Sequence, residues 1–238
     1  MSSTETDGRH QREALVGRFF KGTGASYDRV VAVTTYGLDK SWKRRLLRHV
    51  PEDAASILDL ACGTGILTMM LHRRCPDARI VGVDITDEYM VLAREKFEGT
   101  SADVEFVLSN AETMELEGSF DAVVSCYIPK YVDPNVLLER LDGHVRPGGV
   151  IAVHDFDYPR GRIPRALWTM HMAFLNHVGR RVFPMWDEVF DEDLADLIRD
   201  SRWAKRYMAA LADHGYVDVE RESLDSRMAS IVTARRPN

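Results

Sequence analysis

From Ser56 onward the chain alternates between two kinds of pattern. Short apolar runs, "SILDLA", "RIVGVD", "VEFVL", "FDAVVSCY" and "VIAVHDF", are separated by "ILTMMLHRR", "DEYMVLAREKFEG" and "PNVLLERLDGHV", whose apolar positions fall three and four apart. Strands that alternate with amphipathic helices predict βαβ units and a parallel sheet buried on both faces. Two more strand candidates, "YVDVERES" and "MASIVTARR", close the chain, and the stretch before them, 162–214, carries helical patterns and no convincing strand. Upstream, Leu38, Trp42, Leu46, Leu47 and Val50 recur at helical spacing with bases between them, which predicts an amphipathic basic helix over 39–49. An earlier helix is expected around Leu15 to Phe20, with a break at "KGTGASYD". The expected layout is an N-terminal tail and helical cap over 1–52 and an α/β core over 53–238, interrupted by a helical insertion at about 162–214.

Composition narrows the class. A chain of 238 residues with 45% hydrophobic and 29% charged residues has the balance of a globular protein with one main core. No apolar run approaches the roughly 20 residues of a membrane-spanning helix. "MSSTETDGRHQRE" has no apolar segment of the kind a signal peptide carries. Cys62, Cys75 and Cys126 are odd in number and far apart, which reads as free thiols in a reducing cytoplasm. The net charge of −6 argues against nucleic acid as a partner. Lys40, Lys43, Arg44, Arg45 and Arg48 nevertheless crowd the predicted basic helix, either as a solvated face or as a peripheral contact with anionic lipid. No His/Cys spacing marks a metal site.

The chemistry concentrates at "LDLACGTGIL". A strand that ends in Gly63-Thr64-Gly65 and opens a helix at Ile66 brings backbone N–H groups to a helix N-terminus, where a ligand can approach closely. A tight strand-to-helix turn needs glycine even when nothing binds. Asp84, at the end of the next strand, is placed to accept hydrogen bonds from a ribose diol, and Asn110, Ala111 and Glu112 follow the third strand at the same edge of the sheet. The dinucleotide fingerprint G-x-G-x-x-G lacks its third glycine here, so a nucleoside without a pyrophosphate fits better.

"D-x-A-C-G-T-G" with a strand-end Asp resembles the first motif and acidic position of class I S-adenosylmethionine-dependent methyltransferases, and "RPGG" (Arg146 to Gly149) looks like the turn before their fifth strand. The segment "FFKGTGASYDRVVAVTTYGLDKSWKRRLL" is similar to the N-terminal signature of the ubiquinone/menaquinone biosynthesis C-methyltransferases, carried by Phe20, Tyr27, Asp28, Gly37, Trp42, Lys43 and Arg44. "NAE", "FDAVV" and "LIRDSRWAKRYMAALADHGYVDVE" continue the likeness. One departure is "IPKYV" (Ile128 to Val132), where the family usually has G-L-R-N-V, so the residues nearest the methyl acceptor differ.

The resemblance implies a Rossmann-like class I methyltransferase, α/β, with a seven-stranded mostly parallel sheet whose last strand is antiparallel. It implies S-adenosylmethionine as cofactor, S-adenosylhomocysteine as product, and a site built from Tyr27, Ala61, Gly63, Thr64, Gly65, Asp84, Ile85, Asn110, Ala111 and Cys126. Tyr27 is expected to close over the cofactor as a lid. The expected reaction is C-methylation of a polyprenyl quinol such as demethylmenaquinol, the acceptor being small or lipid-like; a small metabolite, a phospholipid headgroup or a non-catalytic binding role are the alternatives. Asp155, matching the family's acid after the fifth strand, and His154 beside it are the expected bases for the acceptor hydroxyl. Tyr127 and Lys130 are candidates to orient that hydroxyl, and His171 and His177 to face the acceptor.

Overall fold

Each of the seven apolar runs forms a strand in a computed structural model that describes residues 3–190 and 192–238. They are β1 (Ser56–Leu60), β2 (Arg79–Asp84), β3 (Val104–Leu108), β4 (Phe120–Cys126), β5 (Val145–Phe156), β6 (Val217–Leu224) and β7 (Ala229–Arg235). They lie in the order β3-β2-β1-β4-β5-β7-β6, and β7 alone runs opposite to the other six. The runs are apolar at consecutive positions because alternate side chains enter different cores. Leu58, Leu60, Val81, Val83 and Val123 pack into one, and Ile57, Ile80, Ala122 and Val124 into the other.

The helices are α1 (Ser3–Phe20), α2 (Gly24–Thr34), α3 (Asp39–Leu47), α4 (Ile66–Arg74), α5 (Asp87–Phe97), α6 (Pro134–Leu141) and α7 (Arg162–Phe174). A π-helical turn over Leu175–Gly179 continues α7 into α8 (Arg180–Val182), followed by α9 (Asp187–Phe190), α10 (Glu192–Ser201) and α11 (Trp203–Asp213). None of the described helices is long and apolar enough to cross a membrane.

Three boundaries differ from the sequence reading. The break expected over "KGTGASYD" shrinks to Lys21–Thr23, because Glu88 accepts hydrogen bonds from the Gly22 and Gly24 amides (2.9 and 2.8 Å) and lets α2 start at once. "RPGG" lies within β5 rather than before it, beside a register shift between β4 and β5. The expected insertion divides. Phe19 and Val30 of the cap share an apolar cluster with Leu175, Trp186 and Val189, so the segment through α10 belongs with the cap. Helix α11 instead buries Trp203, Tyr207 and Leu211 in the core that contains β4 and β5.

The basic helix is also structural. Trp42, Leu46 and Leu47 are buried against the sheet, the Trp42 indole donates to Asp225 (2.5 Å), and Arg45 pairs with Glu222. Its apolar face is therefore consumed, which leaves α3 nothing to insert into a bilayer.

If α11 is part of the core, Trp203→Ala should destabilise the fold by about 3–5 kcal/mol, the usual range for a buried tryptophan, since it also removes the indole bond to the Phe156 carbonyl (2.6 Å). Urea denaturation measures this; a loss under about 1 kcal/mol would return α11 to the insertion.

Candidate cofactor and acceptor site

Open parallel sheets collect ligands at the carboxyl ends of the strands where the order reverses, here between β1 and β4. The backbone is forced into the left-handed region on both sides of that crevice, at Ala61 (φ 53°) after β1 and Tyr127 (φ 70°) after β4. Such strain in non-glycine residues, roughly 1–3 kcal/mol each, concentrates at functional sites. Both residues line one cavity of about 780 Å³, counting its open mouth.

Eight of the ten residues expected to hold a cofactor meet in that cavity. Tyr27, Ala61, Gly63 and Asp84 form part of its wall, and Ile85, Asn110, Ala111 and Cys126 another part. Thr64 and Gly65 stand outside it. The Thr64 hydroxyl turns away to donate to Asp28 (2.5 Å), which also pairs with Lys96. Gly65 is required by packing: a Cβ there would lie 3.2 Å from the Ala93 Cβ of α5. At Gly63 (φ 57°) a Cβ would meet no atom nearer than a Tyr89 ring carbon at 3.9 Å, so this backbone faces the cavity. The space, the open backbone and the carboxylate of Asp84 together fit a nucleoside joined to an amino-acid chain.

Asp84 accepts hydrogen bonds from the Gly63 and Thr86 amides, both at 2.8 Å, and so ties the glycine loop to the end of β2. Burial raises its pKa, and these amides oppose the rise. On the opposite wall α1 lies across the opening. Arg12 grips both oxygens of Glu112 (2.8 and 3.0 Å), and Glu13 accepts from the Asn110 side chain. Sequence reasoning missed these two α1 contacts, since nothing local marks Arg12 or Glu13 as partners of residues some hundred positions away.

A second cavity, about 930 Å³, adjoins the first beneath the cap. Phe20, Tyr27, Tyr127 and Tyr131 line both, so an aromatic partition separates them. Its other walls include Val30 and Leu38 from the cap side and Trp168, Met172 and Leu175 from α7 and the turn after it. Besides the tyrosines of the partition, its polar side chains are Thr34, Thr35, Tyr36, Lys130 and His171. His171 bonds the Tyr36 hydroxyl (2.8 Å), whereas His177 does not reach the chamber. The Tyr27 ring lies tilted against those of Tyr89 and Trp186 (centroids 5.0 and 5.8 Å apart).

The expected bases are placed differently. Neither His154 nor Asp155 lines either cavity. Asp155 is fully buried and accepts from the Lys130 ammonium (2.7 Å) and from the Lys130 and Phe156 amides (3.0 and 2.7 Å). It anchors the "IPKYV" segment to β5. His154 points to the other face, between Trp42 and Tyr127, and burial holds its pKa well below the ordinary value. Tyr127 does line both cavities, and its hydroxyl donates to Asp39 (2.6 Å), itself paired with Lys43.

Residues 57–149 match the family described as a methyltransferase domain. The chain is 34% identical over 143 residues to the demethylmenaquinone methyltransferase of Thermus thermophilus, a match that spans 59% of this chain and 65% of that enzyme. It is 28% identical over 235 residues to the ubiquinone/menaquinone biosynthesis C-methyltransferase UbiE of an Enterobacter species, covering 95% and 92% of the two chains. Among solved structures, the plantazolicin methyltransferase BpumL superposes with a TM-score of 0.68 at 13% identity, covering 99% of this chain and 98% of that one. The N-methyltransferase NodS from Bradyrhizobium japonicum gives 0.57 at 13%, covering 84% and 88%. The domain matched over residues 57–149 and the Rossmann-like fold are those of an S-adenosylmethionine-dependent methyltransferase. Within that class the chain resembles the ubiquinone/menaquinone biosynthesis C-methyltransferases.

Asp59, below the glycine loop, makes a testable statement about pH. Burial pushes its pKa up to about 7, against the Thr68 hydroxyl bond (2.7 Å) and the Lys43 charge. A carboxyl raised in the folded state destabilises the fold progressively as pH climbs from its unfolded value near 4 to about 7. Asp59→Asn, which can still accept from Thr68, should be little changed at pH 4 and more stable than the parent at pH 8. Thermal melts across that range decide it; a difference that does not vary with pH would mean that folding leaves the pKa of Asp59 unshifted.

Proposed function

We propose that this enzyme methylates a ring carbon of an apolar quinol-type acceptor, the cofactor lying in the cavity at the switch point and the acceptor in the adjoining chamber. The observation that carries the reading is the chamber itself: an aromatic and aliphatic enclosure that meets the cofactor cavity across four aromatic side chains. A charged headgroup would be desolvated against that wall with few partners. The names of the relatives, which refer to menaquinone and ubiquinone biosynthesis, support the same direction.

On this reading the Ala61 to Gly63 backbone receives the aminocarboxypropyl chain, Asp84 the ribose hydroxyls, and Asn110 and Ala111 the far end of the nucleoside. S-adenosylmethionine, when bound, supplies an electrophilic methyl carbon. The protein's contribution is then alignment of the acceptor carbon and exclusion of water, with Phe20, Tyr27 and Tyr131 packing the junction. A quinol carbon becomes nucleophilic as its hydroxyl loses a proton. Tyr127 can take that proton while passing its own to Asp39, the carboxylate it already bonds. Asp155 acts as the anchor of Lys130 and of the Tyr127–Tyr131 segment.

Radiolabelled methyl transfer to a demethylated quinol with a prenyl tail is the direct experiment, with a water-soluble polar acid or amine offered in parallel. Labelling of the polar acceptor alone would overturn the assignment.

For the cofactor site, Asp84→Ala should weaken S-adenosylhomocysteine binding at least tenfold, the equivalent of about 1.5–3 kcal/mol for a lost hydrogen bond to a charged group. Unchanged affinity by calorimetry removes Asp84 from the site. For the proton path, Tyr127→Phe should lower kcat by about 10²-fold or more, with cofactor affinity nearly kept. A turnover within about threefold of the parent across pH 6 to 9 would place proton removal elsewhere.

A further inference from the structure

Helix α7 carries two apolar faces, and only one of them is used. Trp168 and Met172, with Leu175 just beyond, line the chamber. On the side turned away from it Ile163 (75% exposed), Leu167, Met170 (68%) and Phe174 recur at intervals of four, three and four, and Val178 and Val182 extend the row past the π-helical turn. Val33 and Tyr36 at the end of α2 are also exposed, and the Tyr36 bond to His171 sets them beside α7. A row of large apolar side chains this long on a surface is a docking feature rather than scattered exposure.

Charge identifies what docks. The chain has a net charge of −6, yet from Tyr158 to Trp186 it holds five arginines and no acidic residue. Arg160, Arg162, Arg165 and Arg181 are exposed around the apolar row. Arg165 is held over the Tyr158 ring and bonded to the Pro159 carbonyl, and Arg181 bonds the His177 carbonyl, so two of these cations are fixed along the segment. Arg180 is paired with Asp187 just past the segment, but an apolar stripe rimmed by the other four arginines, on a segment with no carboxylate of its own, is complementary to acyl chains beneath anionic headgroups.

We propose that the exposed face of α7 and its continuation to Val182 lies in the interface of a membrane that contains anionic lipid, with the acceptor chamber opening behind it. The inner face of the same helix walls the chamber, so an apolar acceptor leaving the bilayer would cross a single helix rather than open water. That delivery role rests on the apolar-acceptor reading above; membrane attachment does not, and is measured without methyl transfer.

The test is co-sedimentation of the full chain with vesicles of phosphatidylglycerol and phosphatidylcholine. Binding should be clear with phosphatidylglycerol, weak with phosphatidylcholine alone, and reduced by salt. Leu167→Gln combined with Phe174→Gln should lower the partition constant at least tenfold. Arg162→Gln with Arg165→Gln should lower it about fivefold per charge on anionic vesicles only. All four side chains are exposed, so thermal melts should match the parent, and a second pair, Ile163→Gln with Met170→Gln, checks that the effect follows the row. Turnover of a short-tailed soluble quinol should be unaffected by any of these changes. Failure of the parent to sediment with anionic vesicles overturns the proposal, as does unchanged binding by the two apolar-to-glutamine pairs. So does a concentration-dependent dimer that the same substitutions dissolve in the absence of vesicle binding, which would assign the face to a second copy of the chain. Loss of methyl transfer to quinols with vesicle binding intact would instead overturn the acceptor reading alone.

Discussion

The geometry of the site depends on one carboxylate holding two loops together. Asp84 closes β2 and accepts from the Gly63 amide in the loop after β1 and from Thr86 at the start of α5. A glycine loop free to move would let the backbone at Gly63 fold back into the crevice that β1 and β4 leave between them. With the loop fixed, Ala61 and Gly63 keep left-handed conformations that turn their backbone toward the cavity. Gly65 completes the constraint from the other side, since its missing Cβ lets Ala93 of α5 approach the first turn of α4. The two glycines therefore serve different ends, one leaving space for a ligand and the other for a helix.

The cap is fastened to this frame by polar bonds and sealed by aromatic ones. Glu88 at the start of α5 takes the amides on either side of Thr23, while Thr23 itself bonds the Tyr89 hydroxyl (2.6 Å). Glu112 holds Arg12 and also accepts from the Asp133 amide (2.6 Å), joining α1 to the segment before α6. Around these points Phe20 meets Tyr27, Tyr89, Tyr131 and Trp186 at centroid distances of 5.9 to 6.3 Å. Edge contacts of this kind add to area burial without locking the rings as a close-packed aliphatic core would. The bonds that fasten the cap differ in exposure: the Gly22–Glu88 bond is exposed, whereas the Thr23–Tyr89 bond is buried beside the apolar cluster of Phe19 and Val30.

What could be read from the sequence was what depends on local period and local turn chemistry. The seven strands followed from apolar runs, and the positions of Gly63, Asp84 and Asn110 at one edge followed from where those runs ended. Asp155 and His154 lie away from both cavities, and the sequence could not show it: a strand-end acid has the same local signature whether it faces a ligand or a buried lysine. Lys130 lies 25 residues away, and only the pairing of β4 with β5 brings it to Asp155. The assignment of α11 to the insertion has a similar origin. Its apolar spacing says that it buries one face, while which core receives that face is fixed by Trp203 reaching the Phe156 carbonyl. The aromatic partition was invisible because it gathers Phe20, Tyr27, Tyr127 and Tyr131 from separate elements.

The buried charges around the chamber bear on how much chemistry the protein must perform. Asp155 and Lys130 neutralise each other, and Asp39 is paired with Lys43 while accepting from Tyr127. Removing either member of the Asp155–Lys130 pair strands a charge in a poorly solvated place, so these two groups are committed to one another. His154, kept neutral by burial and without a hydrogen-bond partner on either ring nitrogen among the described residues, adds no charge of its own. A chamber with balanced charges and aromatic walls presents little field to distinguish one polar acceptor from another. Shape, exclusion of water and the angle set by the partition are the discriminating features that remain. Those features agree with the apolar acceptor proposed above, in which Tyr127, strained in its backbone and bonded to a carboxylate, takes the polar role at the junction of the two cavities.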